Sequence, residues 1–310
     1  MMLFTFIGCA SPPFRTSANV DEPTPLAFTD LRARQVAPKL AVVLSGGGMR
    51  GFAHVGVLNV LAEYGIAPDL IVGSSAGALV GVLYAQHHDL PKLRNDAFAI
   101  SPEHFASPAL PLLPMLSWLP GSLGLLHFDR FESFLEKRLG TCKLEQLKPR
   151  TLVVASDLQT GNAVAFDRGD CARALHASSA IPGVAVPVRI GSSMYVDGQI
   201  ASPLPVAAAK ALGAITILAV NVVYAPVGSA LEHYPSVFMQ GWNSTIYALS
   251  MLQAQHADIV ISPQFRTTSQ LGLADREDAI VSGETAMRHA IPALKILLDS
   301  KREAAQAERN

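Results

Sequence analysis

Ser75 lies in the stretch Gly73-Ser74-Ser75-Ala76-Gly77, a G-x-S-x-G pattern that directly follows the apolar run Leu70-Ile71-Val72. A small-residue segment of helical length, Ala76 to Gln86, comes next. Strand, tight turn and helix in that order lift a serine hydroxyl to the tip of the turn, with the helix N-terminus beside it. A nucleophile in acyl transfer requires that placement. The same letters also occur in Gly/Ser turns that only pack a strand against a helix, so the flanking context carries the assignment. A second glycine cluster, Ser45-Gly46-Gly47-Gly48-Met49-Arg50-Gly51, follows the apolar run Leu40 to Leu44 and precedes a helical segment from Phe52 to Tyr64. Consecutive glycines leave backbone N–H groups unshielded and open to an anion. Two chemistries use such a loop: phosphate binding, and an oxyanion hole for the tetrahedral intermediate of acyl transfer. By letter the loop also fits the dinucleotide fingerprint G-x-G-x-x-G, which calls for an acidic residue ending a second strand about twenty residues on. Here the next strand runs into Gly73 and the serine turn instead. Consecutive strand-to-helix turns of a parallel sheet lie at one edge, so the glycine loop is expected beside Ser75.

A serine hydroxyl needs a neighbour that takes its proton. Histidine is the usual partner, and the chain has nine. His54 lies in the helix after the glycine loop and reads as packed or solvated. His87 and His88 end a helix, where positive character complements the macrodipole. His104, His127, His233, His256 and His289 stand in no motif. His176, just ahead of Ala177-Ser178-Ser179-Ala180, is the strongest histidine candidate. Asp197 is better placed, because it follows the β-rich run Met194-Tyr195-Val196 and precedes Gly198, where a strand ends in a turn. An unperturbed aspartate, with a pKa of about 3.9, is a poor base in water. Partial burial raises its basicity, and direct contact with the hydroxyl makes the proton transfer local. Asp-Gly is otherwise an ordinary turn pair.

The elements that hold these residues alternate as in α/β proteins. Beyond the two strands already named, strands are expected at Thr151 to Ala155, Ala163 to Phe166, Val186 to Ile190, Ile215 to Val222 and Ile259 to Ile261. Helices are expected at Phe131 to Leu139, Pro205 to Leu212, Phe238 to His256 and Asp278 to Leu298. They compose a three-layer α/β/α sandwich with a mostly parallel central sheet, one domain over residues 38–300. Residues 1–37 read as a signal-like leader and flexible linker, and 301–310 as a charged, frayed tail. The longest uncharged run, Phe105 to Phe128, contains Pro108, Pro111, Pro114 and Pro120, which exclude a continuous spanning helix. Its leucines make it strongly apolar. It reads as a lid that covers the serine and touches lipid, or as a buried excursion of the core.

The glycine loop, the serine elbow and a third block, Ala177-Ser178-Ser179-Ala180-Ile181-Pro182 leading to Val196-Asp197-Gly198, together resemble the patatin-like phospholipases, a family of serine lipid acyl hydrolases. Ala155-Ser156-Asp157-Leu158-Gln159-Thr160-Gly161 is a weaker echo, and the likeness runs from about Pro38 to Leu212. The resemblance implies a Ser75–Asp197 dyad in place of a triad. It also implies an oxyanion hole in the loop Gly46, Gly47 and Gly48, chiefly at Gly47 and Gly48. Gly51, Gly73, Gly77 and Gly198 are the remaining motif glycines. Arg50 matches the basic position of the family loop, where it attracts a phosphate head group or braces the loop. One departure stands out: the family has Gly or Ala after Asp-Gly, and this chain has Gln199. A larger amide there narrows the site or hydrogen-bonds near the aspartate. The implied activity is hydrolysis of carboxylic esters of phospholipids or lysophospholipids. The alternatives are a non-lipid esterase or thioesterase with the same dyad, and a catalytically weak membrane-associated binding or regulatory protein. No cofactor or metal is called for by this chemistry.

Composition agrees with this reading. Half of the 310 residues are hydrophobic, ample for one large core. Only 16% are charged and the formal net charge is -1, with no basic arm, so nucleic acid is not an expected partner. The expected partners are an acyl-ester substrate and a membrane surface. Met1 to Gly8 is apolar and ends at Cys9, followed by Ala10-Ser11-Pro12-Pro13, which looks like a bacterial lipoprotein signal with Cys9 as the acylated residue. The expected location is membrane-anchored and periplasmic; the alternative is cytoplasmic. With Cys9 acylated, Cys142 and Cys171 remain as a disulfide pair in an oxidising compartment, or as two buried thiols.

Overall fold

A computed structural model describes residues 21–34, 36–87, 89–100, 107–108, 126–225, 234–265 and 275–307. Cys9, most of the expected lid, and His88, His104 and His233 lie outside the described residues. The strands are β1 (Pro25–Ala27), β2 (Leu40–Leu44), β3 (Leu70–Ser74), β4 (Ser107–Pro108), β5 (Leu126–His127), β6 (Arg150–Asp157), β7 (Ala163–Phe166), β8 (Val188–Ile190), β9 (Ser193–Asp197), β10 (Thr216–Val220) and β11 (Ile259–Ile261). The helices are α1 (Phe28–Leu31), α2 (Phe52–Glu63), α3 (Ala76–His87), α4 (Leu90–Phe98), α5 (Asp129–Leu139), α6 (Cys171–Ser179), α7 (Val206–Ala211), α8 (Tyr234–Ala254) and α9 (Arg276–Ala307).

Strands β2, β3 and β10 are largely apolar and buried along their whole length because both of their faces are covered. Alternate residues of each strand feed two separate cores. Val42, Leu44, Ile71, Leu218 and Val220 pack with α2, α3 and α9 on one side. Ala41, Val43, Leu70, Val72, Ile217 and Ala219 pack with α7 and Leu31 on the other. Two cores on one sheet make the three layers that the sequence predicts. Helices α2 and α3 are apolar nearly all round and correspondingly buried. The sheet order is β1-β7-β6-β3-β2-β10-β11, with β9 on β6 and β8 on β9. Strands β6, β3, β2, β10 and β11 run parallel. The antiparallel partners β7, β9, β8 and β1 are confined to one end.

The structure departs from the sequence expectations at both ends of the domain. Within the expected linker, Pro25–Ala27 pairs with β7 as an edge strand, a position that tolerates proline. Leu31 is fully buried, and Arg34 reaches Asp167 at 2.8 Å, which Arg150 also holds at 2.8 Å. At the other end α9 continues to Ala307, since Lys, Arg, Glu, Ala and Gln are strong helix formers even when nothing packs on them. Helices α4 and α6 were not among the expected elements. Cys142 and Cys171 are joined as a disulfide that ties the turn after α5 to the start of α6.

Candidate active site

Strand β6 sets the distances in the site. Its residues Val153 to Ser156 pair with β7 on one edge. On the other edge β3 pairs as far as Ser74↔Val154, and β9 takes over from Ala155↔Asp197 in the antiparallel sense. Strands β3 and β9 therefore end head to head, opposite neighbouring residues of β6. Ser75 leaves the tip of β3 and Asp197 is the last residue of β9. A separation of 122 residues in sequence closes to a hydrogen bond, Ser75 Oγ donating to Asp197 Oδ2 at 2.8 Å. Gly198 is obligatory at this junction, because a Cβ there would stand 2.3 Å from Val154 O and 2.5 Å from Ser74 Oγ.

Ser75 has φ +52°, in the left-handed region that a non-glycine residue occupies only under constraint. The constraint is visible. Its N–H donates to Ser178 Oγ at 2.8 Å, and Ser178 Oγ donates to Val154 O at 2.6 Å. Its carbonyl accepts from Leu79 N at 3.0 Å, which makes Ser75 the first residue ahead of α3. Asp197 is 1% exposed. Burial pushes its carboxyl up to about 7, against hydrogen bonds from Gln199 N at 2.9 Å to Oδ1 and from Ser75 Oγ. Ser156 fixes the turn that follows, donating to Asp197 O at 2.9 Å and accepting from Ala201 N at 3.1 Å.

The glycine loop lies beside the pair. Its base is clamped by Ser45, whose Oγ accepts from Val222 N and whose carbonyl accepts from His54 Nε2, each at 2.8 Å. Burial lowers His54 to about 4, so the ring is neutral and structural. Gly46 N–H donates to Pro203 O at 3.1 Å and is not free for an oxyanion, which removes Gly46 from the expected donor set. No partner for the N–H of Gly47 or Gly48 is found among the described residues. Arg50 is 6% exposed, with its guanidinium 5.1 Å from the Tyr224 ring centre and 6.0 Å from that of Phe265, a bracing position at the edge of the cleft. Gln199 packs its side chain on the bare Cα of Gly46, where a Cβ would lie 2.3 Å from Gln199 Cγ. Gly51 faces Ala76, so the loop and the serine elbow touch, and Gly73 and Gly77 flank the elbow itself. A narrow cleft of about 50 Å³ opens here, and its lining includes Gly47, Arg50, Asp197 and Gln199 together with Tyr224, Met239, Trp242 and Ile246.

His176 is not at the site. Its Nδ1 meets Glu132 Oε2 at 2.5 Å, and its ring stacks on Phe128. Two positioning residues, Ser178 and Ser156, were not assigned roles from the sequence. The signal for Ser178 was the hydroxyl set among alanines in Ala177-Ser178-Ser179-Ala180, which a helix has no need of for packing. Among the described residues no three His, Cys, Asp or Glu side chains gather as a metal site. A buried carboxylate on a strained serine hydroxyl, with bare amides alongside, is suited to acyl transfer.

The chain is similar in sequence to known proteins. An uncharacterized NTE family protein of Mycobacterium tuberculosis is 34% identical over 233 residues, 74% of this chain and 61% of the relative. The chain thus spans about three fifths of the length of that curated relative. Lysophospholipase NTE1 of Debaryomyces hansenii is 32% identical over 186 residues, 59% of this chain and 12% of the relative. Among solved structures, VipD from Legionella pneumophila is similar with a TM-score of 0.46 at 14% identity, covering 93% of this chain and 72% of that one. A family model described as patatin-like phospholipase matches residues 42–210, more than half of the chain, and the chain belongs to that family.

Proposed function

We propose that the protein is a serine lipid acyl hydrolase, acting on a phospholipid or lysophospholipid through a Ser75–Asp197 dyad. The observation that carries this reading is the 2.8 Å hydrogen bond from a left-handed Ser75 to a buried Asp197. Ser75 Oγ attacks the ester carbonyl carbon while Asp197 Oδ2 takes its proton. The N–H groups of Gly47 and Gly48 hold the oxyanion of the tetrahedral intermediate. Its collapse breaks the bond to the alcohol oxygen, which leaves with the proton from Asp197. Water then attacks the acyl-enzyme, Asp197 accepts its proton, the fatty acid is released and Ser75 recovers its hydrogen. The pKa of about 7 at Asp197 suits both the uptake and the return of a proton near neutrality.

The lipid assignment draws support from the family and from the apolar residues Met239, Trp242 and Ile246 in the cleft that Asp197 also lines. The same dyad also serves a non-lipid esterase or thioesterase, and comparing long-chain with short soluble esters separates the two. The Cys142–Cys171 disulfide supports location in an oxidising compartment, in keeping with export. The test of the function is hydrolysis of a chromogenic acyl ester and of lysophosphatidylcholine by wild type, Ser75→Ala and Asp197→Asn. Both variants should fold and lose about 10²–10⁴-fold in kcat. Unchanged turnover in Ser75→Ala would sink the mechanism.

A further inference from the structure

Helix α8 (Tyr234–Ala254) carries no Asp, Glu, Lys or Arg along its 21 residues. Its inner side walls the cleft through Met239, Trp242 and Ile246. Its outer side runs from Val237 and Phe238 through Ser244 and Thr245 to Met251 and Leu252, pairs that recur every seven residues, two helical turns apart, and all face solvent. The four apolar members are 45–59% exposed. The solvent side of a helix is ordinarily its charged side. Here the two hydroxyls on it are satisfied within the helix, Ser244 Oγ donating to Gln240 O at 2.8 Å and Thr245 Oγ1 to Gly241 O at 3.1 Å. Each hydroxyl has a place for its proton without water. At 1.5 Å per residue the stripe is about 23 Å long.

Inner and outer sides are continuous. Trp242, on the cleft wall, lies 6.2 Å from the exposed Phe238 ring, centre to centre. An uncharged helix with an exposed apolar stripe is suited to lie along a lipid surface. We propose that the outer side of α8 docks on a phospholipid bilayer and passes acyl chains over the Phe238–Trp242 step into the cleft. The acyl-chain route rests on the hydrolase reading above; the docking does not.

The test uses the full chain in a Cys9→Ser background, so that no N-terminal acyl group can supply affinity. Vesicles of phosphatidylcholine, with and without phosphatidylglycerol, are floated with wild type, Ser75→Ala and the double variant Val237→Asp/Leu252→Asp. Both substituted positions are exposed, and thermal melts check that the fold is kept. Wild type and Ser75→Ala should float equally, including on neutral vesicles. The double variant should lose about 10-fold or more in partitioning and in hydrolysis of vesicle-borne lipid, while turning over a short soluble ester within about two-fold of wild type. Wild type that does not float, or a double variant that floats as well as wild type, overturns the proposal. So does a wild-type dimer in solution that the double variant splits, since the occupant would then be a second copy. Full hydrolysis by Ser75→Ala overturns the catalytic reading alone and leaves the flotation result standing.

Discussion

Between pH 5 and pH 8 the kcat/KM for a short soluble ester should rise by about two powers of ten. Asp197 must be ionised to take the Ser75 proton, and burial raises its pKa from the ordinary 3.8 to about 7. Below pH 7 the ionised fraction falls tenfold per unit, so log kcat/KM should climb with unit slope and level off above 7. The same shift has a consequence for folding. A carboxyl that binds its proton more tightly folded than unfolded weakens the native state as pH rises from about 4 to about 7. The loss is complete above 7. A difference of about three units corresponds to roughly 4 kcal/mol. Asp197→Asn removes that term and keeps a group able to accept from Gln199 N and face Ser75. The variant should therefore gain stability over wild type at pH 8, with an advantage that shrinks toward pH 4. Thermal melts across pH 4–8 and a pH–rate profile read the two effects independently. A flat profile down to pH 5, or a stability difference that ignores pH, would refute the assignment of Asp197 as a buried base.

Three further outcomes follow from contacts around the dyad. Ser178→Ala removes the acceptor of Ser75 N–H and the donor to Val154 O, so it should cost about 1–3 kcal/mol in urea unfolding and lower kcat more than it raises KM. Gly46→Ala drives a Cβ into Gln199 and should reduce kcat/KM by about tenfold, and adding Gln199→Gly should restore most of it; no rescue would mean the side chain is not seated there. Reduction of Cys142–Cys171 frees two alkylatable thiols and reopens a separation of 29 residues, with an expected loss of about 3–4 kcal/mol on the loop-entropy account; an unchanged melting temperature would count against a stabilising role.

Strong local patterns made much of this site legible in the sequence. The elbow and the glycine loop each sit between an apolar run and a helical segment, so their shared edge follows from parallel-sheet geometry. Asp197 was legible as a strand end. The use of individual amides was not. Gly46 resembles its neighbours by letter, and only the approach of Pro203 O, 157 residues away in sequence, withdraws its N–H. His176 looked suited to be a base because of the small residues beside it. Its helix instead aims Ser178 at Ser75 and His176 at Glu132. The expected linker concealed β1 because a three-residue edge strand with proline carries no periodic signal and exists only through its pairing with β7. In each case the missing information was a long-range contact that no sequence window contains.

On the proposed mechanism, the use of an aspartate follows from how β6 brings the parts together. Ser74 and Asp197 oppose adjacent residues of one strand edge, Val154 and Ala155. The gap between the ends of β3 and β9 admits a short side chain in direct contact with Oγ. An imidazole would also call for a third residue behind it to orient the ring. The orienting role falls to the backbone: Gln199 N fixes Oδ1, the register of β9 fixes Oδ2, and basicity comes from exclusion of water. On that mechanism the arrangement ties catalysis to register. A slip of one residue between β6 and β9 would turn Asp197 to the opposite face of the sheet and bring a neighbouring apolar residue or Gly198 to Ser75. Ser156 opposes that slip, holding Asp197 O and Ala201 N with a single hydroxyl. Its loss should therefore harm activity more than its modest size suggests.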